Sequence, residues 1–279
     1  MTIGIFAKTF MQPSLEGILH SVHHHGLTQV QFNMSCAGLA PMPDYIDPAI
    51  AKKIYTETYK RNIRIAAVSG TFNMIHPDVK ERESGLKKLR TLAAACAAME
   101  TFIITLCTGS RNPGNMWQFH PENNTSSAWN DLLEIMEKAL EIAEEYKVIL
   151  AFEPEPANVV ADAHKGKRLL NEMRSKHLKV VMDAANLFQP GNVHAMRETM
   201  TEAFDLLGND IVLAHAKDIQ IKNNELEVVA AGKGILDYDG YVELLQEYSF
   251  SGALILHGLQ EDEVETSIQF LEKKLLHLN

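Results

Sequence analysis

Cysteine is scarce in this chain of 279 residues, and the three present, Cys36, Cys96 and Cys107, are too scattered and odd in number for a disulfide framework. Their scarcity points to a reducing, cytoplasmic setting. Cys96 falls on the small apolar face of an Ala-rich helical pattern and Cys107 ends a strand pattern, so both read as core residues. Positive charge is also short. Lys and Arg number 26 against 36 Asp and Glu, a formal charge of −10, which disfavours nucleic acid or another polyanion as a partner. No window reaches the roughly 18 apolar residues of a membrane span, and the opening MTIGIFAKTF lacks the basic segment and apolar run of a signal peptide. A dinucleotide fingerprint is missing too: Gly232-Lys233-Gly234 follows a charged loop without a strand-turn-helix context.

What is present is alternation. Short apolar runs read as strands at Ile3–Ala7, Gln29–Asn33, Arg64–Ser69, Thr101–Cys107, Val148–Phe152, Lys179–Asp183, Ile211–Lys217 and Ala253–Leu256. Between them lie segments with apolar residues at helical spacing. Leu15, Ile18, Leu19 and Val22 form one such stripe, and Leu132, Met136, Ala139, Ala143 and Tyr146 another. Asp47-Pro48, Asn192, Asp237 and the acids Asp262 and Glu265 are expected to open helices, while Gly208 closes one. The helix-ending run His23-His24-His25 reads as complementing the helix dipole rather than as a metal site. Eight strand-helix units with no internal composition break predict a single (β/α)8 TIM barrel over residues 1–279, close to the ~250 residues such a barrel needs.

Three of these strands end in polar residues. Glu153 follows the apolar run Val148–Phe152, Asp183 ends KVVMD, and His215 stands late in IVLAHAK. In α/β folds the carboxyl ends of buried parallel strands are where ligands bind. Oxygen and nitrogen donors on three rigid strand ends are what a divalent metal site requires. Lys8 after the first strand and Asn73 and His76 after the third lie on the same expected edge. The polar stretch of about twenty residues after strand four is long for a compact domain. It is expected to cover a site, with Arg111, Trp117 and His120 as its candidate substrate contacts.

Glu153 within FEPE, Asp183 within MDAANLF, His215 with Lys217-Asp218 within HAKD, the GKGILDY segment and the closing LILHGLQEDEV resemble the xylose isomerase-like TIM barrels, the superfamily of sugar isomerases and epimerases that includes endonuclease IV. The resemblance runs from the first strand to the last helix. It implies one divalent ion, manganese foremost with magnesium, cobalt, iron or zinc as alternatives, held by a Glu, an Asp, a His and a further Glu on strands five to eight. The first three fall on Glu153, Asp183 and His215, and at the fourth the chain departs, placing His257 where relatives similar to tagatose 3-epimerase carry glutamate.

The resemblance further implies proton transfer through a metal-stabilised enediolate, with Glu153 and His257 as the expected catalytic residues. An imidazole keeps a ligand but removes one of two carboxylate bases, which favours one-base aldose-ketose isomerisation over two-base epimerisation. Lys8, Asn73, His76, Arg111, Trp117, Glu155, Asn186 and Lys217 are the expected contacts to a sugar or sugar phosphate. A structural pairing of Lys217 with Asp218 or another acid is an equal alternative.

Two other functions compete. A multi-zinc phosphoester hydrolase would need a His where Asn186 stands, and a catalytically silent sugar-binding relative would account for His257. No nucleic acid or membrane partner is expected, and a homo-oligomer is left open. Substrate identity lies in loops that pattern alone does not decode.

Overall fold

In the computed structural model, which describes residues 1–276, strand follows helix around a closed barrel. The strands are β1 (Thr2–Phe6), β2 (Gln29–Phe32), β3 (Arg64–Ser69), β4 (Ile103–Cys107), β5 (Ile149–Glu153), β6 (Leu178–Asp183), β7 (Ile211–Lys222), β8 (Glu225–Ala230) and β9 (Ala253–Leu256). Neighbouring strands pair in parallel from β1 through β6. The ring closes through β6–β7, β7–β9 and β9–β1, which makes an eight-stranded parallel barrel. The helices are α1 (Leu15–His24), α2 (Pro48–Tyr59), α3 (Val79–Cys96), α4 (Ser126–Tyr146), α5 (Ala163–Met173), α6 (Met196–Leu207), α7 (Tyr238–Glu247) and α8 (Val264–Leu276).

Local chemistry explains most of the helix starts. Ser14, Asp47, Asp78, Thr125, Asp162 and Asp237 each accept a hydrogen bond from a backbone N–H of the first turn, satisfying donors that a helix leaves open. Two expectations are corrected. Asn192 stands at the N-cap of a short 3-10 turn, Val193–Ala195, that leads into α6, but its side chain makes no cap bond; it spans the preceding turn instead, accepting from Gln189 N at 2.8 Å and donating to Leu187 O at 3.1 Å. The last helix opens on a capping box between Gln260 and Glu263 rather than on Asp262 and Glu265.

The segment after Lys217 is also not the loop expected. β7 runs on past the barrel to Lys222 and pairs with antiparallel β8, and Asn223 and Asn224, both at positive φ, form the two-residue turn between them. Asparagine tolerates that left-handed conformation better than most side chains. The alternation of IQIK and ELEVV around Asn-Asn is the signal that was there to read.

Side chains on each barrel strand alternate between two apolar layers. Ile5, Leu150, Phe152, Val180, Met182, Ala214 and Leu254 face the helices in the outer core. Phe6, Ala67, Ala151, Val181, Leu213, Ala253 and Ile255 fill the barrel interior. The strand period of two then dictates what stands one layer above the interior plug. Two residues beyond Ala67, Ala151, Val181, Leu213 and Ile255 come Ser69, Glu153, Asp183, His215 and His257. A polar tier therefore sits on an apolar plug at the carboxyl ends of the strands.

Candidate active site

This tier forms the floor of a cavity of about 290 Å³ whose lining includes Lys8, Gln31, Trp117, Glu153, Glu155, His215 and His257. Asp183 and His215 are direct register partners across β6 and β7. Ligand atoms of Glu153, Asp183 and His215 all lie within 4.8 Å of one another, the one such cluster among the described residues. His215 Nδ1 is 3.3 Å from Glu153 Oε1 and 3.4 Å from Asp183 Oδ2.

Which nitrogen of His215 faces the carboxylates is decided by a residue that motif reading passed over. Gln31 is buried, and its amide donates to Ser69 Oγ and Thr105 Oγ1, each at 3.3 Å. Its carbonyl oxygen consequently faces His215 Nε2 at 2.8 Å, and Nε2 donates to it. Nδ1 is left facing the carboxylates, the nitrogen that would bind a cation on giving up its own proton, in the outer-shell orientation that metal-binding histidines usually have. A glutamine between Val30 and Phe32, inside an apolar strand run, was the available cue.

Lys217 reaches into the same cluster. Its ammonium lies 2.8 Å from Asp183 Oδ2, 3.9 Å from Glu153 Oε1 and 3.1 Å from Asn186 Oδ1. Of the pairings open to Lys217, the one with Asp218 does not form and those with two other acids, Asp183 and Glu153, do. Asp218 accepts instead from four backbone N–H groups, those of Ile219, Gly232, Gly234 and Leu236. This bond set explains the glycine of the GKGILDY segment. A Cβ at Gly234 would stand 2.1 Å from Ile219 O and 2.3 Å from Asp218 Oδ1, so only glycine lets the loop fold onto the carboxylate.

Burial and charge shift the titrations in opposite senses. For Asp183, burial opposes ionisation but Lys217 and His215 outweigh it and hold the carboxyl well below its usual range. Burial likewise disfavours charge on His215, yet Glu153 and Asp183 prevail and raise it to about 9. Lys217 is raised for the same reason, against its burial, by Asp183 and Glu153. Glu155 is pushed up to about 8 by burial and then by the charge of Glu153. His257 is held well below its usual value by burial and by the neighbouring cations His215 and Lys217, so it is neutral.

The remaining expected site residues divide into two groups. Lys8, Trp117, Glu155 and His257 line the cavity. Asn186 adjoins it, donating to Glu153 Oε1 at 2.8 Å. His257 stacks on His215 at 4.9 Å and on Phe6 at 5.2 Å but is not in the three-ligand cluster.

Asn73, His76 and Arg111 lie outside the lining and tie loops together. Asn73 both donates to Ser110 O, at 2.8 Å, and accepts from Ser110 N, at 3.0 Å. His76 bridges Pro113 O and Asp78 N. Arg111 is buried, bonded to Ile75 O and paired with Asp131, and Asp131 also pairs with Arg82. His120 accepts from Glu122 N and caps the short turn Pro121–Asn124. The long loop after β4 is thus a bonded structure that brings Trp117 to the cavity. Cys107 lines the cavity as a thiol pushed up to about 12 by burial, and is inert.

The profile of the xylose isomerase-like TIM barrel family matches residues 19–274. Among solved structures, a D-tagatose 3-epimerase-like protein superposes with TM-score 0.79 at 15% identity, covering 100% of this chain and 98% of that one. The D-psicose 3-epimerase of Clostridium cellulolyticum H10 gives TM-score 0.73 at 14% identity, with 99% of each chain covered. The IOLI protein, solved with a bound zinc atom, gives 0.72 at 17% identity, covering 99% of this chain and 97% of that one. At such identities the likeness is one of fold. No curated protein matches the chain in sequence.

Proposed function

Because the chain belongs to the xylose isomerase-like TIM barrel family, we propose that it is a divalent-metal-dependent sugar or sugar-phosphate isomerase or epimerase acting by proton transfer between substrate carbons. The observation that carries this reading is the convergence of Glu153, Asp183 and His215 within 4.8 Å at the floor of a cavity of sugar size. The donor set fits a divalent ion. Two carboxylates and one imidazole suit manganese, magnesium, cobalt, iron or zinc. Buried Asp183 Oδ2 faces only side-chain groups that can yield to an ion, Lys217 Nζ at 2.8 Å and His215 Nδ1 at 3.4 Å, while Oδ1 is the oxygen bonded to the backbone. Glu153, Asp183 and His215 would hold the ion, and when bound it supplies Lewis-acid stabilisation of negative charge on substrate oxygens.

The chain's own groups account for the rest. Asn186 fixes Glu153 by donating to Oε1, and the Glu153 carboxylate accepts the proton from the substrate carbon and returns it. Glu155, raised to about 8 in the same cavity, presents a neutral carboxyl as a hydrogen-bond donor to a substrate oxygen. Neutral His257, whose buried Nδ1 has no hydrogen-bond partner, is a second polar contact in the cavity. With histidine rather than glutamate after β9, a single carboxylate base moving a proton between adjacent carbons is the favoured course. Half-exposed Trp117 offers an apolar face to a sugar ring.

A catalytically silent sugar-binding relative is favoured by one observation, the Lys217 ammonium among the ligand carboxylates. The multi-zinc hydrolase draws no support, since the described residues hold a single three-ligand cluster. The test is a screen of ketoses, aldoses and their phosphates for deuterium uptake from heavy water with added manganese, using wild type and Glu153→Gln. Wild type is expected to exchange a carbon-bound hydrogen, and Glu153→Gln to lose at least ~100-fold of that rate. Full turnover by Glu153→Gln would refute the assignment.

A further inference from the structure

We propose that Lys217 is a resident cation of the metal cradle: its ammonium holds the carboxylates together in the metal-free protein and leaves them when a divalent ion enters. The inference rests on the metal-binding reading above and adds that one strand carries both a ligand and its competitor. His215 and Lys217 are two residues apart on β7, so they project to the same side of the strand.

Three observations carry it. First, the ammonium is within 4 Å of both ligand carboxylates, 2.8 Å from Asp183 Oδ2 and 3.9 Å from Glu153 Oε1, in the region those two oxygens would share with an ion. Second, Lys217 is itself buried, 7% exposed, so its charge has been taken out of water at a cost that these carboxylates, with Asn186 Oδ1 at 3.1 Å, offset. Third, Asp183 Oδ2 is held by side chains, Lys217 Nζ at 2.8 Å and His215 Nδ1 at 3.4 Å. Oδ1 of the same carboxylate, by contrast, accepts from Ala185 N and is committed to the backbone. The Oδ2 side of the carboxylate is therefore occupied by side-chain groups, which can move away, rather than by the backbone.

A divalent ion on Asp183 Oδ2 would meet a like charge at contact distance, and in a buried site such repulsion is weakly screened. Ion and ammonium therefore exclude one another. Lysine suits an exchangeable role because it is a point charge on a flexible four-carbon stem, without the planar fork that locks arginine to a carboxylate. The consequence is a site that folds charge-balanced without an ion and binds one more weakly than its donor set alone would allow.

The test is calorimetric titration of chelator-stripped protein with Mn²⁺ and, separately, Zn²⁺. It compares wild type, Lys217→Met, which keeps the stem and removes the charge, and Lys217→Arg, which keeps the charge. Thermal unfolding with and without ion accompanies each titration. Lys217→Met is expected to bind Mn²⁺ at least tenfold more tightly than wild type, to melt lower without ion, and to gain more from ion than wild type does. Lys217→Arg is expected to bind no more tightly than wild type. If Lys217→Met is insoluble, Lys217→Gln, which retains a polar head for Asn186, provides the same comparison. Equal or weaker binding by the neutral variant, with wild type binding one ion, overturns the inference and leaves the metal reading standing. Absence of binding by wild type and neutral variant alike overturns both.

Discussion

Replacing Asp218 by asparagine isolates the physical link between the HAKD and GKGILDY motifs. Asp218 is 1% exposed, and its carboxylate accepts from Ile219 N at 2.8 Å and Leu236 N at 2.9 Å through Oδ1, and from Gly232 N at 3.1 Å and Gly234 N at 3.0 Å through Oδ2. Asparagine keeps the shape. Its amide oxygen can serve one pair of donors, but the NH₂ group then confronts the other pair, donor against donor. Two buried N–H groups lose their acceptor, at about 1–3 kcal/mol each. Relief of the buried charge offsets part of this, leaving ~2–5 kcal/mol of destabilisation. For a chain of this size that corresponds to a fall in Tm of roughly 3–9 °C.

Differential scanning calorimetry and urea unfolding of chelator-treated Asp218→Asn provide the measurement. Mn²⁺ affinity at 20 °C should change little, because Asp218 projects to the opposite side of β7 from His215 and Lys217. A Tm within about 1 °C of wild type would refute the view that this carboxylate pins the 232–236 loop.

Two further predictions concern the outer support and the titration of the site. Gln31→Leu removes the acceptor that orients His215 Nε2, so Mn²⁺ affinity measured by chelator competition should fall ~10–100-fold, and unchanged affinity would contradict the tautomer derived from Gln31. In chelator, His215, raised from 6.5 to about 9, contributes stability that is complete below its unfolded value and lost as pH rises through 9. Glu155, raised from 4.5 to about 8, is a carboxyl the fold prefers protonated, so its contribution also declines with rising pH, across that range. The Tm of metal-free protein should therefore fall between pH 6.5 and 9, with Glu155→Gln flattening the part below 8; a constant Tm would exclude both shifts.

Much of the architecture was legible because parallel strands buried on both faces read as apolar runs and helices read as stripes. β3 and β9 match their expected limits, and the others differ mainly at their ends. The β7–β8 hairpin was missed because the apolar run was ended at Lys217, although its Asn-Asn turn is a recognisable signal. At the site, Glu153, Asp183 and His215 were legible as polar residues ending apolar runs. Gln31, Ser69 and Thr105 carry the same inward phase and were overlooked because no motif contains them. Arg111, Asn73 and His76 stood on the expected edge, but their side chains turn into loop-loop bonds.

The amino-acid sequence by itself determined which residues occupy the polar tier, since side-chain direction along a strand has period two and the apolar plug below is written in the same phase. What each member of that tier touches was decided only by closure of the barrel. Distances between residues far apart in the chain, such as Lys217 to Asp183 rather than to its neighbour Asp218, depend on the register between strands and on how buried charges find partners. No local pattern encodes those two quantities, because both arise from packing strands against one another around the ring.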